Sequence, residues 1–319
     1  MERPRGFTLV ELIVVLGIIV VILALLLPAL VGSNEAARRI QCINNLKQIQ
    51  LALQSYQATF DVLPPGVVDG ERPFSETAAK YRMSWAASLL PFAEQQGIYV
   101  TLNFSAGATD PVNSTARLAT ISMFRCPDAE PRDTWASLTW RNVMGAPAVA
   151  SAPEIGRSSY AAVHHEVEKA IDVDDHGVFY LNSRTRAADV FDGLSQTLFI
   201  GEVSAPTSGG WLAGGRSSLR NTGAAINAVE AAMLGDAAKS EEWLASAKTP
   251  LSVETLAAGG RIALPPGYVG GFSSNHRGDG AVFAFGDGSV RFLRASIDPV
   301  VYRALGHRSD GEEIDDDAY

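Results

Sequence analysis

The chain has 319 residues, of which 47% are hydrophobic, and its formal net charge at pH 7 is −9. This acidic excess argues against non-specific nucleic-acid binding, which draws its affinity from lysines and arginines that neutralise phosphates. It also disfavours binding to anionic lipid surfaces. We therefore expect no nucleic-acid partner.

The N-terminal segment combines two arginines with a long apolar run. No residue from 12 to 31 is charged, and a helix of that length spans a hydrocarbon core of about 30 Å. Arg3 and Arg5 precede the run and should stay in the cytoplasm by the positive-inside rule. We predict a single membrane-spanning helix at 7–31 in the cytoplasmic (inner) membrane. The remainder of the chain would then face the periplasmic or other extracytoplasmic side.

One carboxylate, Glu11, lies at the edge of this apolar run. A charge that lies deep in a bilayer without a partner costs about 2.5 to 3.5 kcal/mol, so Glu11 calls for a partner. A secretory signal peptide with a poor cleavage site at 29–33 is one alternative. It gives no reason for Glu11 or for Gly6 before Phe7. A plain uncleaved anchor is a second alternative, and it explains the arginines and the hydrophobicity equally well.

Beyond the apolar run, the sequence predicts an amphipathic continuation of the helix over 32–62. Apolar residues recur there at alternating steps of four and three, the spacing of one helix face. They are Cys42, Leu46, Ile49, Leu53, Tyr56 and Phe60. The polar residues assigned to the other faces are Asn44, Asn45, Lys47, Gln48, Gln50, Gln54 and Gln57. We expect this half to pack on a globular head and to end before Pro64 and Pro65.

The rest of the chain predicts an α+β head over 63–308. A helix interrupted at Pro91 is expected at 84–99, and turn residues bound the predicted strands. These strands are 121–127, 176–180 and 197–202, together with a hairpin of 281–285 and 289–293. The Ala- and Glu-rich stretch 224–258 is interpreted as a helical insertion. The tail 309–319 holds six acidic residues and is predicted to be flexible.

The two cysteines, Cys42 and Cys126, are candidates for a disulfide in an oxidising compartment. The position of Cys42 on the apolar stripe favours pairing with the head, and two buried free thiols are the alternative. A four-ligand zinc site is not supported, because no Cys-x-x-Cys pattern or close Cys/His cluster accompanies them.

The densest run of metal-ligating residue types lies in the head at 164–176. Its closely spaced carboxylates Asp172, Asp174 and Asp175 are calcium candidates, and a solvated acidic loop is the alternative. The remaining members of the run are His164, His165 and His176.

A second candidate set lies near the C-terminus. His276, Asp279 and Asp287 would form a catalytic or metal-binding set if the hairpin brought them together, and otherwise they satisfy loop backbone groups. No hydrolase nucleophile elbow surrounds Ser195. We predict no cofactor and no enzymatic activity.

Three aromatic residues, Trp85, Trp211 and Tyr268, have two readings. They either line a carbohydrate-binding surface or belong to the core.

Residues 6–11, Gly-Phe-Thr-Leu-Val-Glu, resemble the processing segment of type IV prepilins and type II secretion pseudopilins. The resemblance implies that a prepilin peptidase cuts between Gly6 and Phe7, removes the leader 1–6 and methylates the new N-terminus at Phe7. It also implies that Glu11 pairs with the terminal amine of a neighbouring subunit during assembly.

The order of segments along the whole chain resembles the uncharacterised prepilin-like domain-of-unknown-function family 1559. That family carries a His-x9-Asp-Gly segment, matched here by His276, Asp287 and Gly288 with ten intervening residues instead of nine. The extra residue predicts a bulge at 277–280. The other matching stretches are 45–49, 64–66, 84–95, 124–127, 192–202 and 274–293.

The resemblance implies a pilin-like α+β fold, with the long N-terminal helix packed on a head that contains a β-sheet. It implies a structural role as a subunit or minor component of a pilus-like or type II secretion assembly, with other pilin-like subunits as partners. The alternative is a membrane-anchored module that binds a glycan or polymer and uses the prepilin route only for export.

Overall fold

The computed structural model describes residues 8–74, 81–129, 134–136, 154–204, 209–216, 218–228, 268–315 and 318–319, with the backbone alone at 23–34, 134–136 and 209. The helices are α1 Leu9–Phe60, α2 Trp85–Leu89, α3 Gln96–Tyr99, α4 Ser114–Arg117 and α5 Pro299–Gly306. The strands are β1 Val67–Val68, β2 Met83–Ser84, β3 Thr134–Ala136, β4 Glu154–Ser158, β5 Tyr160–His165, β6 Leu198–Glu202, β7 Gly209–Gly210, β8 Leu219–Asn221, β9 Gly280–Phe285 and β10 Val290–Arg294.

Helix α1 is one uninterrupted element of 52 residues, which confirms that both N-terminal segments belong to a single helix. It ends at Asp61, whose left-handed backbone (φ 59°) directs its N–H to the Gln57 carbonyl. Pro64 and Pro65 follow and cannot continue the helix. In the part of the chain that the structure describes, no helix combines the length and the apolar character required to cross a membrane.

The head is built around a five-stranded sheet with the strand order β10-β9-β6-β5-β8. All neighbouring strands are antiparallel except β5 and β8, which are parallel. The sheet confirms the predicted α+β class. It also confirms the predicted strand at 197–202 as β6 and the predicted C-terminal hairpin as β9 and β10.

Helices cover both faces of this sheet. Side chains alternate along a strand, so neighbours on β9 enter different cores. Val282 joins the cluster that contains Leu46 of α1, whereas Phe283 joins the cluster that contains Tyr302 of α5. The sheet is therefore sandwiched between the long N-terminal helix and the short C-terminal one, and both faces of β9 are buried.

The predicted apolar stripe of α1 is confirmed in its first part. Cys42, Leu46, Ile49 and Leu53 are buried, but Phe60 leaves the core and packs its ring on Tyr56 and Phe92 instead. The prediction was also wrong for two polar residues assigned to the outer faces.

Those two residues, Asn45 and Gln50, are both buried against the head. The Asn45 side chain donates to the Arg125 carbonyl at 2.7 Å, and the Gln50 side chain donates to the Phe285 carbonyl at 2.6 Å. Each amide satisfies a backbone acceptor in the head, which is why a buried polar side chain is tolerated there.

The predicted strand at 121–127 is wrong. Residues Ser122–Phe124 form a 3₁₀ turn, in which the Phe124 N–H donates to the Ile121 carbonyl at 3.0 Å. The Phe124 carbonyl then accepts the Ser159 N–H at 2.8 Å, so this segment meets the head at single points rather than along a ladder.

The predicted strand at 176–180 is also wrong, because this segment consists of bends. Its backbone still donates to β5: the Gly177 N–H reaches the His164 carbonyl at 2.8 Å, and the Phe179 N–H reaches the Val163 carbonyl at 3.1 Å. A Cβ at Gly177 would lie 2.5 Å from the carbonyl carbon of His164, so this close approach requires glycine.

Two further predictions concern the periphery of the head. The 84–99 segment is helical and interrupted as expected, with a 3₁₀ turn at Leu90–Phe92 between α2 and α3. Most of the predicted insertion, from 229 onward, lies outside the described residues. The C-terminal Tyr319 packs its ring on Phe285, so the end of the acidic tail contacts the head.

Candidate functional site

The N-terminal end of α1 is organised by Thr8 and Glu11, whereas Gly6 and Phe7 lie outside the described residues. Oε2 of Glu11 accepts the Thr8 backbone N–H at 2.9 Å and the Thr8 hydroxyl at 2.8 Å, and the Thr8 hydroxyl accepts the Glu11 N–H at 3.3 Å. This reciprocal arrangement is a capping box, which satisfies N–H groups that lack partners at a helix start. It fixes the Glu11 carboxylate beside the backbone of residue 8.

The disulfide between Cys42 and Cys126 is confirmed. The two Cα atoms lie 5.1 Å apart, inside the range that a bridge requires, and the cysteines are 84 residues apart in sequence. The bond joins α1 covalently to the segment that follows the 3₁₀ turn of the head.

His276 lies beside this disulfide, with its Nε2 atom 3.6 Å from the Cys126 sulfur. Its side chain is fully buried and is surrounded by carboxylates from three other segments. Nε2 lies 3.2 Å from Oε1 of Glu202, while Nδ1 lies 3.4 Å from both Oε1 of Glu35 and Oδ2 of Asp128. The group joins α1, the loop after Cys126, β6 and the loop before β9, and we call it the His276 junction.

The electrostatics of the His276 junction favour a protonated imidazole. Burial of the ring opposes protonation, but Glu202, Asp128 and Glu35 outweigh it, so the pKa of His276 is raised. Burial likewise opposes ionisation of Glu35, yet the Arg277 N–H and His276 lower the pKa of this carboxyl. The arrangement can therefore hold an imidazolium between carboxylates, a charge pairing that fixes α1 on the head.

Asp287 and Gly288 do not belong to the His276 junction. Asp287 lies in the β9–β10 turn, where its carboxylate accepts the Ser289 N–H at 2.8 Å. A Cβ at Gly288 would lie 2.9 Å from the Gln54 side-chain nitrogen, so this turn meets α1 near residue 54. Glu35 and residue 54 are about 28 Å apart along the helix, at 1.5 Å per residue. The family segment therefore contacts α1 at two separate places.

The loop between His276 and β9 has the bulged shape that the extra residue predicts. Gly278 and Asp279 both have positive φ, 111° and 46°. The Asp279 carboxylate accepts the Asn227 side-chain N–H at 3.0 Å, and its carbonyl accepts the Ala295 N–H at 2.7 Å. The structure thus gives Asp279 a local backbone-ordering role and does not gather it with His276 and Asp287 into one catalytic set.

The three calcium candidates each face a different basic or ring nitrogen. Asp172 pairs with Arg72 at 3.0 Å, Asp174 with Lys169 at 3.2 Å and Asp175 with buried His164 at 2.8 Å. The calcium site stays a prediction.

Among the described residues, three triads that contain no cysteine bring metal-ligating atoms within 4.8 Å of one another. They are Glu35/Asp128/His276, His165/Glu166/His176 and Asp192/His307/Asp310. Cys42 and Cys126 also lie near Glu202 and His276, but the disulfide leaves them no thiolate to donate.

Trp85, Trp211 and Tyr268 are all buried, so they belong to the core and do not form an aromatic surface for a carbohydrate. The Trp85 indole N–H donates to the Ser218 carbonyl, and that of Trp211 donates to the Ala119 carbonyl.

Sequence reasoning found His276 but missed its partners Glu35, Asp128 and Glu202. Each left a local signal. Glu202 ends the strand predicted at 197–202, Glu35 lies seven residues before Cys42 in the predicted helix, and Asp128 follows Cys126 by two residues, but no local pattern connects the three with His276.

Comparison with known proteins gives matches along most of the chain. The model of the prokaryotic N-terminal methylation motif matches residues 1–27, and that of a family described as protein of unknown function (DUF1559) matches residues 34–300. No solved structure is significantly similar to the chain.

Curated relatives match shorter stretches. Type II secretion system core protein G of Klebsiella pneumoniae is 40% identical over 57 residues, which are 18% of this chain and 41% of the relative. The core protein G of Escherichia coli K12 is 36% identical over 56 residues, 18% of this chain and 39% of the relative. Competence protein ComGC of Halalkalibacterium halodurans is 39% identical over 68 residues, 20% of this chain and 67% of the relative.

The chain spans about two fifths of the length of the first secretion relatives that it matches. The family model, in contrast, covers most of the chain and includes the disulfide, the sheet and the His276 junction. This protein therefore belongs to the DUF1559 family and carries a prokaryotic N-terminal methylation motif.

Proposed function

We propose that this protein is a pilin-like structural subunit, either a main or a minor component of a pilus-like or type II secretion assembly. The observation that carries the proposal is the surface of α1 between residues 9 and 22. Every large apolar side chain in that stretch is exposed, on all sides of the helix. Soluble proteins rarely expose apolar patches of this extent unless another molecule covers them.

An apolar surface that runs around a helix suits two successive environments. In a bilayer, lipid covers every face, and in a filament the neighbouring helices do so. The segment 7–31 would thus insert into the cytoplasmic membrane after synthesis, with the head 63–308 and the tail 309–319 on the extracytoplasmic side. The amphipathic half, 32–62, would then carry the head.

Processing would prepare the N-terminus for the move from the membrane into a filament. A prepilin peptidase would remove the leader 1–6 by cutting between Gly6 and Phe7 and would methylate the new amine at Phe7. The match to the methylation motif over residues 1–27 supports this step.

Glu11 would provide the charge that selects the position of a neighbouring subunit. Its carboxylate lies beside the Thr8 N–H, one residue from the amine that cleavage would create at Phe7. In a low-dielectric environment an ammonium group binds a carboxylate far more strongly than a hydroxyl does. The terminal amine of a second subunit would therefore replace Thr8 as the partner of Glu11.

The names of the relatives support an assembly role over an enzymatic one, since core protein G belongs to a secretion system and ComGC to competence. The burial of all three candidate carbohydrate-binding aromatics removes the specific support for an anchored glycan-binding module. The head would therefore act as the surface of the assembly, with other pilin-like subunits as its partners.

Replacement of Glu11 by Ala tests this proposal. We expect the variant to be cleaved and to reside in the membrane but to be absent from sheared filaments or from crosslinked subunit ladders. Gln48→Ala, an exposed polar change on the same helix, is the matched control and should assemble normally. Incorporation of Glu11→Ala at the level of the control would refute the assembly role.

A further inference from the structure

Four of the five histidines of the chain lie in one neighbourhood of the head. The ring centroids of His164 and His165 are 6.1 Å apart, those of His165 and His176 are 4.6 Å apart, and those of His176 and His307 are 4.8 Å apart. They come from the end of β5, from the bends after it and from the residue that ends α5. The fold thus gathers imidazoles that the sequence separates by more than a hundred residues.

Glu166 lies between two of these rings. Its Oε2 atom is 2.9 Å from Nδ1 of His165, and its Oε1 atom is 3.0 Å from Nδ1 of His176. His165 is buried, while the side chain of His176 is 48% exposed, so solvent reaches the group from one side only. The ligating atoms of His165, Glu166 and His176 all lie within 4.8 Å of one another.

The hydrogen bonds around His165 leave one oxygen of Glu166 in an unfavourable position. Nδ1 of His165 accepts the Val167 N–H at 3.1 Å, which assigns a lone pair rather than a proton to that nitrogen. Oε2 of Glu166 lies 2.9 Å from the same nitrogen, and with the lone pair on Nδ1 it finds no hydrogen-bond donor among the described residues. Two lone pairs face each other across this contact, and a cation between them would turn repulsion into binding.

We propose that His165, Glu166 and His176 bind one divalent transition-metal ion of the zinc class. Imidazole nitrogens with a carboxylate oxygen are typical ligands of this class, whereas calcium takes six to eight oxygens. Two ligands that share a tetrahedral ion at about 2.1 Å lie about 3.4 Å apart. The nitrogen–oxygen separations of 2.9 and 3.0 Å would therefore open by about 0.4 to 0.5 Å on binding. The ion takes the His165 lone pair that now accepts the Val167 N–H.

The neighbouring carboxylates do not compete for the role. Each of the three calcium candidates is paired with a basic or ring nitrogen, as described above. The Asp175 carboxylate, for example, contacts Nδ1 of His164 and holds that ring in place. The His276 junction is the rival three-residue group, but both ring nitrogens of His276 face carboxylates and its pKa is raised, which favours a proton over a metal there.

The metal would add a link between segments that backbone hydrogen bonds already join. The Gly177 N–H donates to the His164 carbonyl of β5, and the Arg308 N–H donates to the His176 carbonyl. His176 also packs on His307 at the end of α5. Coordination would therefore strengthen the attachment of the bends at 176–180 to the sheet and to the end of the C-terminal helix. This site is independent of α1 and of the proposed assembly role.

Isothermal titration of the metal-free, full-length protein in detergent with ZnCl₂ tests the proposal. We expect one Zn²⁺ per chain and a rise in melting temperature on binding. His176→Ala and Glu166→Gln should each weaken binding at least about tenfold, since loss of even a partner outside the ligand set costs that much. Asp174→Asn, which removes a neighbouring exposed carboxylate, is the matched control and should bind like the parent chain.

The melting temperature in chelator shows whether the variants fold. Because the side chain of His176 is half exposed, His176→Ala should melt like the parent chain without metal. Absence of stoichiometric Zn²⁺ binding by the parent chain would overturn the proposal. So would Zn²⁺ binding by His176→Ala and Glu166→Gln with the affinity of the parent chain. Binding of Ca²⁺ but not Zn²⁺ by the parent chain, lost in Asp174→Asn, would overturn it as well.

Discussion

The two halves of α1 share one helical geometry but have opposite surroundings. Leu16 in the first half is 53% exposed, and Leu46 in the second half is 0% exposed. The difference follows from the placement of apolar residues. They occur on all sides of the helix at 9–22 and form a stripe at 42–53. The first half therefore presents an apolar surface on every side at 9–22, whereas the second half buries its apolar stripe in its own head.

Polar groups divide the two halves in the same way. In the first half the described polar interactions are the local bonds between Thr8 and Glu11. In the second half, the side chains of Glu35, Asn45 and Gln50 form hydrogen bonds with residues at least 80 positions away in sequence. The disulfide adds a covalent bond. The helix is therefore fixed to its head from residue 35 onward, while the large apolar side chains at 9–22 stay exposed.

The largest expected effect comes from removal of the disulfide. The double variant Cys42→Ser and Cys126→Ser should lose about 4.5 kcal/mol of unfolding free energy, the chain-entropy value for a loop of this length. Denaturant unfolding of the full chain in detergent, followed by tryptophan fluorescence of the head, measures this loss. Reduced parent protein should unfold at the same midpoint as the double variant. A loss below about 1 kcal/mol would show that the other contacts of the second half suffice.

A smaller effect is expected from a matched pair of leucine truncations. Leu46→Ala removes a fully buried side chain and should lower the unfolding free energy of the head by about 3 kcal/mol. Leu16→Ala makes the same chemical change in the first half, where the side chain is exposed, and should leave that free energy within about 0.5 kcal/mol. Equal losses in the two variants would remove the distinction between the halves.

The smallest effect is a pH dependence at the His276 junction. The folded-state pKa of His276 is raised, so its contribution is complete below the unfolded value of about 6.5 and is lost as pH rises through the folded pKa. The charges that face the ring are Glu35, Asp128 and Glu202, with Arg38 paired to Asp128 at 3.1 Å.

Glu35 acts at the other end of the pH range. Its pKa is lowered, so its contribution is present above the unfolded value and is lost as pH falls through the folded pKa. The His276 contribution, in contrast, is lost as pH rises. The parent chain should lose stability relative to His276→Gln as pH rises above about 6.5, in unfolding curves recorded at several pH values. His307 provides a control of opposite sign, because burial is the chief cause that lowers its pKa. Its contribution to stability should rise with pH, measured in buffer that contains a chelator. A difference between parent and His276→Gln that does not vary with pH would contradict a charged His276.

Local sequence patterns predicted those parts of the molecule that depend on nearby residues. The continuity of α1, the Asp287–Gly288 turn of the hairpin and the Cys42 position on the stripe are all signals within a few residues, and each is confirmed. The His276 junction was not predictable in this way, because its carboxylates come from residues 35, 128 and 202. Only the fold brings these together.

The errors in the head have the same origin. Residues 121–127 and 176–180 have apolar composition typical of strands, but neither pairs along a ladder. The Phe124 carbonyl accepts the single Ser159 N–H, and the Gly177 and Phe179 N–H groups donate to carbonyls of β5. The burial of Asn45 and Gln50 was missed because helix period alone does not say which carbonyls the head presents. At 121–127 and 176–180, composition therefore predicted burial more reliably than it predicted secondary structure.

The proposed assembly role depends on a cut between Gly6 and Phe7. Mass spectrometry of the N-terminal peptide, from protein purified out of its native membrane, would show whether the cut occurs. We expect a chain that begins at N-methylated Phe7. A chain that still begins at Met1 would contradict this role and leave an uncleaved anchor that carries a head with another role. A chain that begins within 29–34 would also contradict it, because the first half of α1 would then be a cleaved signal peptide.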